Sequence, residues 1–281
     1  MVMLLIAGLI ILMGVLLLFH MWREAHVHQM IEEEVEVPHL PTSFDGAKIL
    51  YVSDTHKRKL KQKDLENVKN KVDWVLIGGD VAEKGISWSL VRHNMKILSN
   101  IAPSFTVYGN HDKRAGTAQL ARILRESDVK LLQDNVEYLQ RGNDRLSLIG
   151  IDYRSKQGDV LLQQIGNRFC KIAIVHDPLQ ALRLEENADL IFSGHTHGGQ
   201  LVLPFFGPVF LSKVYRPVSN GWYSLKRSPE EVHQEGKMLV SRGYGTNHLP
   251  LRLGCPAEMH IITLRVPAEK ALTEKQPLSI G

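Results

Sequence analysis

Cysteine is nearly missing from this chain. Its two copies, Cys170 and Cys255, stand far apart and are either one pair or two buried thiols, so they fix no redox compartment. Self-similarity at the spacing of roughly 20 to 50 residues that marks a repeat array is also missing. The 281 residues, 44% hydrophobic, are therefore read as building one large core. Little net charge is present and the basic residues are mostly scattered: the formal net charge is +4, and the pI near 9.0 describes a solvated surface rather than a nucleic-acid stripe. The one local basic run, Lys57, Arg58, Lys59, Lys61 and Lys63, reads as an exposed loop and the first turn of a helix.

Charged side chains are absent altogether from Met1 to Phe19. At ~1.5 Å rise per residue that run makes a helix of roughly 28 Å, close to the hydrocarbon thickness of a bilayer. A cleaved signal peptide needs a basic n-region and a small-x-small cleavage site, and neither is present, so residues 1–22 are expected to be an uncleaved membrane anchor. Trp22 and Arg23 suit the headgroup boundary. With no Lys or Arg before the anchor and Arg23 just after it, the positive-inside rule places the rest of the chain on the cytoplasmic side. Residues 23–47, with the acidic run Glu32, Glu33, Glu34 and with Pro38 and Pro41, read as a polar, extended linker. His20, His26 and His28 lie here without carboxylate or cysteine partners and read as a wet juxtamembrane segment.

From Lys48 the pattern changes to short apolar runs alternating with helical stretches, the mark of an α/β sheet protein. Each run ends in chemistry. Ile49 to Val52 leads into Ser53-Asp54-Thr55-His56, and Trp74 to Ile77 into Gly78-Gly79-Asp80. After a helix from about Ser87 to Ser99, Phe105 to Tyr108 leads into Gly109-Asn110-His111-Asp112. Ile172 to Val175 leads into His176-Asp177-Pro178, and Leu190 to Phe192 into Gly194-His195-Thr196-His197-Gly198-Gly199-Gln200. Strand ends are where sheet enzymes place their sites. Burying these aspartates and imidazoles without partners costs several kcal/mol per group, a cost that divalent cations remove. Asp54, His56, Asp80, Asn110, His176, His195 and His197 form a mixed oxygen and nitrogen donor set, too large for one tetrahedral zinc and about right for two metals sharing one carboxylate. Such donors suit manganese, iron or zinc, with manganese foremost.

In order and spacing these motifs resemble those of the calcineurin-like metallophosphoesterases: Asp-x-His, Gly-Asp, Gly-Asn-His-Asp, His, and Gly-His-x-His. Leu203-Pro204-Phe205-Phe206-Gly207, Ser241-Arg242-Gly243-Tyr244-Gly245, Leu249-Pro250 and Arg252 are similar to the bacterial membrane-associated YkuE/YaeI-type phosphodiesterase branch, which includes enzymes acting on UDP-2,3-diacylglucosamine. Lys57-Arg58-Lys59 departs from the glycine-containing loop common among relatives. The resemblance covers about Lys48 to Arg265 and implies a four-layer α/β/β/α sandwich over residues 48–266, followed by a loose tail, 267–281. It also implies one metal at Asp54, His56 and His197, a second at Asn110, His176 and His195, and Asp80 between them. The implied activity is hydrolysis of phosphodiester or pyrophosphate bonds by a hydroxide shared between the metals, with His111 as general acid. A nuclease and a catalytically silent metal-binding scaffold are the alternatives; the anchor and the lack of a basic stripe or stacking platform weigh against the nuclease.

Five further residues and one apolar run are weighed individually. Glu83 is expected to fold back and orient His111, with a solvated loop carboxylate as the plain alternative; Asp112 reads equally as a cap. Asp177 before Pro178 is expected to cap a helix from about Leu179 to Glu185. Of Arg242 and Arg252, Arg252 is the candidate for bidentate phosphate binding. The apolar run Leu201 to Leu211 is broken by two prolines, so Phe205, Phe206 and Phe210 either pack into the core or form an exposed loop that would admit a lipid-linked substrate.

Overall fold

A computed structural model describes residues 1–166, 169–184, 187–225 and 235–268. The elements in chain order are α1 (Val2–His26), β1 (His28–Glu36), β2 (Lys48–Val52), β3 (Trp74–Ile77), α2 (Trp88–Ser99), β4 (Ser104–Thr106), α3 (Asn110–Ala115) and α4 (Thr117–Glu126). There follow β5 (Val129–Leu131), β6 (Asn135–Arg141), β7 (Asp144–Ile151), α5 (Gly158–Ile165), β8 (Lys171–Val175), α6 (Pro178–Ala181) and β9 (Leu190–Ser193). The last are β10 (Val202–Leu203), β11 (Gly207–Pro208), β12 (Gly221–Leu225), β13 (Gly236–Val240) and β14 (Ala257–Arg265).

Two six-stranded mixed sheets, ordered β1-β14-β2-β3-β4-β5 and β12-β13-β9-β8-β7-β6, stack face to face. The period-2 alternation of the strands decides the layering. Ile49 and Tyr51 of β2 join Ile172 and Ile174 of β8 in the core between the sheets. Leu50 and Val52 face the other way, onto Val91, Met95 and Leu98 of α2 and Leu120, Ile123 and Leu124 of α4. Ala173 and Val175 of β8 likewise face Leu162 of α5 and Ala181 of α6. The result is the α/β/β/α sandwich that the family resemblance implies, built on the alternating α/β pattern of the sequence. β2, β3 and β4 are mutually parallel, as are β7, β8, β9 and β13, so their C-terminal ends collect along one edge.

The stretch read as a polar linker is corrected. His28–Glu36 is an edge strand, β1, parallel to β14 over its whole length from His28 opposite Ala257 to Glu36 opposite Arg265. Its charge hid it: Glu34 accepts from Arg265 of β14 at 2.7 and 3.0 Å and Glu33 accepts Trp222 Nε1–H at 3.0 Å, so the glutamates find partners on the sheet faces, and charge on an edge strand discourages pairing with other chains. The basic run is corrected too. No α-helix begins there: Gln62–Asp64 is a 3-10 turn, and Arg58 lies 3.8 Å over the Tyr244 ring while donating to Tyr244 O at 2.6 Å and to His26 O.

α1 is long and apolar enough to cross a membrane, and none of its apolar window is buried. Its last turn is docked onto the domain. Met21 O accepts Arg252 N–H at 3.0 Å, the Glu24 carboxylate accepts Gly254 N–H and Cys255 N–H at 3.1 and 2.6 Å, and Ala25 is buried. Cys170 and Cys255 are two separate buried thiols. Phe205, Phe206 and Phe210 are exposed at 105%, 80% and 77%, which overturns the core reading of that run. Val202–Leu203 and Gly207–Pro208 pair as a small hairpin, and among the described residues its tip has no partner layer to pack on. The loose tail expected from Pro267 and the helix end at Glu185 fall almost wholly outside the described residues.

Candidate metal centre

Five of the strands that end at the shared edge deliver polar groups there. Asp54 and His56 follow β2, Asp80 and Glu83 follow β3, and Asn110 and His111 open α3 just beyond β4. His176 follows β8, and His195 and His197 follow β9. Asp54, His56, Asp80, His195 and His197 all adopt positive φ, between 44° and 71°. Non-glycine residues rarely do so, and such strain persists where the surroundings over-determine it. Part of what fixes it is close backbone approach. A Cβ on Gly109 would lie 2.1 Å from Asp80 Oδ1, and one on Gly194 would lie 2.3 Å from Asp54 Oδ2.

Three groups of donor atoms result, two built from the expected ligands and a third, His56, Glu83 and His111, adjoining the first. In the first, His56 Nε2 and His197 Nε2 are 3.1 Å apart, and His197 Nε2 is 3.6 Å from Asp54 Oδ1. In the second, His176 Nε2 is 3.2 Å from each of Asn110 Oδ1, His195 Nδ1 and Asp80 Oδ2. Asp80 Oδ2 is also 4.0 Å from His56 Nε2 and so stands between the groups. Backbone donors hold the carboxylates. His195 N–H reaches Asp54 Oδ1 and Oδ2 at 3.2 and 3.1 Å, and His111 N–H reaches Asp80 Oδ1 at 2.7 Å.

Cations fit this donor set on electrostatic grounds. His56 Nδ1–H donates to Glu83 Oε2 at 2.9 Å and His176 Nδ1–H donates to Gly78 O at 2.8 Å, since neither partner can donate. In the neutral rings this leaves both Nε2 atoms as lone pairs, each aimed at further lone pairs of oxygen or nitrogen. A proton or a metal must sit between them. Without metal the proton serves: burial opposes charge on His176, but the Asp80 carboxylate outweighs it and lifts the imidazole to about 10. Asp80 answers in kind. Burial would raise its carboxyl, yet His176 holds it below the usual carboxylate range. Burial keeps His197 well below the ordinary imidazole value, helped by neighbouring His56 and Arg252, so its ring is neutral and free to ligate.

Three expected roles change in the folded chain. Glu83 is corrected from partner of His111 to partner of His56; the hydrogen bond from His56 comes first in holding Glu83 down to about 2, with Lys57 Nζ at 2.6 Å adding to it. Asp112 is a buried backbone acceptor, taking Asp80 N–H and Ala82 N–H at 2.7 Å each and Gly109 N–H at 2.9 Å. Burial and the charge of Asp80 push its carboxyl up to about 7. Arg252 is corrected from phosphate ligand to structural clamp. Fully buried, it donates to the carbonyls of Arg242, Gly243, Gly245, Cys255 and His197 and offers nothing to the site. Arg242 pairs with Glu258 at 3.4 Å.

His111 is half-buried with its ring edge-on to His56, centroids 4.9 Å apart, and burial lowers its pKa. Asp177 accepts Leu179 N–H at 2.9 Å, as a cap before Pro178 should, and also takes Tyr215 O–H at 3.0 Å. Tyr215 and Tyr153 flank His195, with ring centroids 5.2 and 6.3 Å away. Tyr153 follows the end of β7 without a histidine or carboxylate ligand motif, and Tyr215 lies in no strand-end motif, so the sequence did not mark them. Gln200 ends the glycine-histidine loop and ties it to the segment after Tyr244 through Asn247, Leu249 and Leu251 carbonyls at 2.9 to 3.0 Å. Beside the centre opens a groove of about 500 Å³, lined by His195 and His197 and by Leu201, Phe210, Leu211 and Leu249.

Comparison with known proteins agrees with this site. Residues 47–199 match the calcineurin-like phosphoesterase family model. YpbG of Bacillus subtilis is 31% identical over 226 residues, covering 78% of this chain and 81% of YpbG. The metallophosphoesterase YkuE of the same organism is 27% identical, covering 86% and 87%. Phosphodiesterase YaeI of Escherichia coli is 26% identical, covering 77% and 82%. Among solved structures, the 5'-nucleotidase precursor from Thermus thermophilus superposes with a TM-score of 0.50 at 16% identity, over 71% of this chain and 49% of its own. This chain thus spans about half the nucleotidase's length, and the likeness there is one of fold. Members of the matched family work with divalent metals, and the described residues supply clustered donors for them. By the family model over its core and the relatives over most of its length, this chain belongs to the calcineurin-like metallophosphoesterases and is a phosphoric ester hydrolase.

Proposed function

We propose that this protein is a membrane-anchored phosphodiesterase or pyrophosphatase that uses two divalent metal ions, manganese foremost. The observation that carries the reading is the position of Asp80 Oδ2, 3.2 Å from His176 Nε2 in one donor group and 4.0 Å from His56 Nε2 in the other. Asp54, His56 and His197 would hold one ion, Asn110, His176 and His195 the second, and Asp80 both. When bound, such a pair supplies the positive charge that neutralises phosphoryl oxygens and makes water acidic enough to attack phosphorus. This chain's own residues do the rest. Glu83 fixes the His56 ring and Gly78 O the His176 ring, so that both Nε2 atoms point inward. His111, beside the donor set and outside it, is placed to give a proton to the leaving alkoxide; burial lowers its pKa, so it holds that proton less tightly than an exposed histidine would.

A lipid-linked phosphodiester or pyrophosphate is the substrate class that the surroundings favour. The groove beside His195 and His197 has an apolar wall with exposed Phe210 and Leu249, and α1 is apolar enough to keep the enzyme at a bilayer. The name phosphodiesterase carried by YaeI supports the diester class. Arg23, in the last turn of α1 with no Lys or Arg before it, favours the cytoplasmic face. The test is Asp80→Asn. Losing the shared charge should lower bound metal below that of the wild type and reduce turnover of an activated diester by at least about 100-fold. Unchanged metal content with unchanged turnover would overturn the reading.

A further inference from the structure

Between Leu190 and Leu225 the sequence contains no aspartate or glutamate. It does contain the exposed cations Lys213 and Arg216 and the exposed apolar side chains Leu203, Phe205, Phe206, Phe210 and Val214. Phe205 has φ 67°, a left-handed conformation that is costly for a bulky residue, and its fully exposed ring makes no packing against the described residues that would repay the strain. Aromatic and basic side chains without carboxylates are the composition that settles at an anionic headgroup layer.

The docking of α1 ties the base of this patch to the end of the helix. Met21 O accepts Arg252 N–H, and the next residue, Leu253, brackets the base of the hairpin: Val202 N–H donates to Leu253 O at 2.7 Å and Leu253 N–H to Gln200 O at 3.0 Å. With Glu24 holding Gly254 and Cys255, the end of α1, residues 252–255 and residues 200–202 form adjoining hydrogen-bonded layers. Counting two hydrogen-bonded spacings and the five residue steps between them and the tip, Phe206 lies no more than about 30 Å from Met21. A helix joined to its domain by a slack linker could present any face to the membrane; this one is bonded to it.

We propose that the Leu203–Phe206 hairpin, with Phe210 and Val214, inserts into the bilayer leaflet at which α1 ends, so that the metal groove is held against an anionic phospholipid surface. The proposal rests on α1 spanning the membrane. Substrate then enters from the headgroup layer along the wall formed by Phe210 and Leu249 and meets His195 and His197 without leaving the leaflet. Lys213 and Arg216 stand among the phosphates of neighbouring lipids.

The experiment uses the full-length chain in phosphatidylethanolamine and phosphatidylglycerol vesicles, with nitroxide labels on Phe206→Cys, on Ile10→Cys within α1, and on Tyr138→Cys of β6 at the far edge of the second sheet. Cys170 and Cys255 are buried and stay in place. Relaxation by oxygen and by a water-soluble nickel chelate reports depth. Labels at 10 and 206 should favour oxygen several-fold over the chelate, and the label at 138 should do the reverse. If 10 reads as bilayer while 206 matches 138, docking is wrong and the span stands. If 10 also reads as water, the anchor and the docking fall together. A label at 206 shielded from both reagents, with spin-spin broadening from a second copy, would assign the patch to self-association and overturn the proposal. None of these readings depends on metal loading or turnover.

Discussion

At the residue scale the centre separates groups that hold metal from groups that move protons, and mutation should separate them too. Glu83 accepts from His56 Nδ1 at 2.9 Å, so Glu83→Gln removes a charge that orients a ligand. Metal affinity is expected to fall by about 10- to 100-fold, the usual cost of losing such a partner. His111→Asn should instead leave metal content unchanged and slow turnover by about 10²- to 10⁴-fold, most for poor leaving groups. Metal analysis beside rates on nitrophenyl and alkyl diesters distinguishes the two, and a uniform loss over all leaving groups would remove His111 from proton transfer. Much at this scale was legible. Asp54, His56, Asp80, Asn110, His176, His195 and His197 announce themselves as polar groups at strand ends. The partner of Glu83 did not, because hydrogen-bond choice depends on which ring lies within 3 Å, and spacing along the chain does not report that.

At the element scale the segments after β13 serve the site without touching substrate. Arg252 fills the space between the Gly243–Gly245 turn, Cys255 and the His197 turn, with carbonyl oxygens as its partners. Arg252→Met should leave several buried carbonyls unpaired and cost about 3 kcal/mol or more of stability. The expected reading is a lower melting temperature with KM for a soluble diester unchanged in the folded fraction. A large rise in KM without loss of stability would restore the phosphate-binding role. The sequence identified Arg252 as special and misjudged why: a guanidinium suits a phosphate and a cluster of carbonyls equally well, and burial alone tells them apart. β1 shows the converse error. Its glutamates look like a solvated tether, yet half of each strand residue's surroundings come from a partner remote in sequence, and β14 lies more than two hundred positions away.

At the scale of the whole molecule, the two sheets converge on charges that the fold cannot neutralise by itself. Asp54, Asp80 and Asp112 are buried within a few residues of strand ends, and His176 carries a proton up to about pH 10 as counter-charge. Metal must displace that proton. Uptake should therefore release protons at neutral pH, and apparent affinity should rise about tenfold per pH unit for each proton displaced, falling as pH drops. Stripping metal should also destabilise the fold. At 100 times the dissociation constant, bound metal contributes about 2.7 kcal/mol, so chelation is expected to lower the melting temperature by about 5 to 10 °C in calorimetry. Equal melting with and without chelator would mean that the donor groups are satisfied without cations. The sequence by itself determined the α/β layering, the strand-end chemistry and the apolar first helix, since periodicity and polar residues at strand ends are local properties that any short window displays. Only the tertiary structure decided that Glu83 serves His56, that Arg252 is a clamp, that β1 belongs to the sheet and that Phe205 and Phe206 face outward, because each depends on which distant segment supplies the other half of a contact.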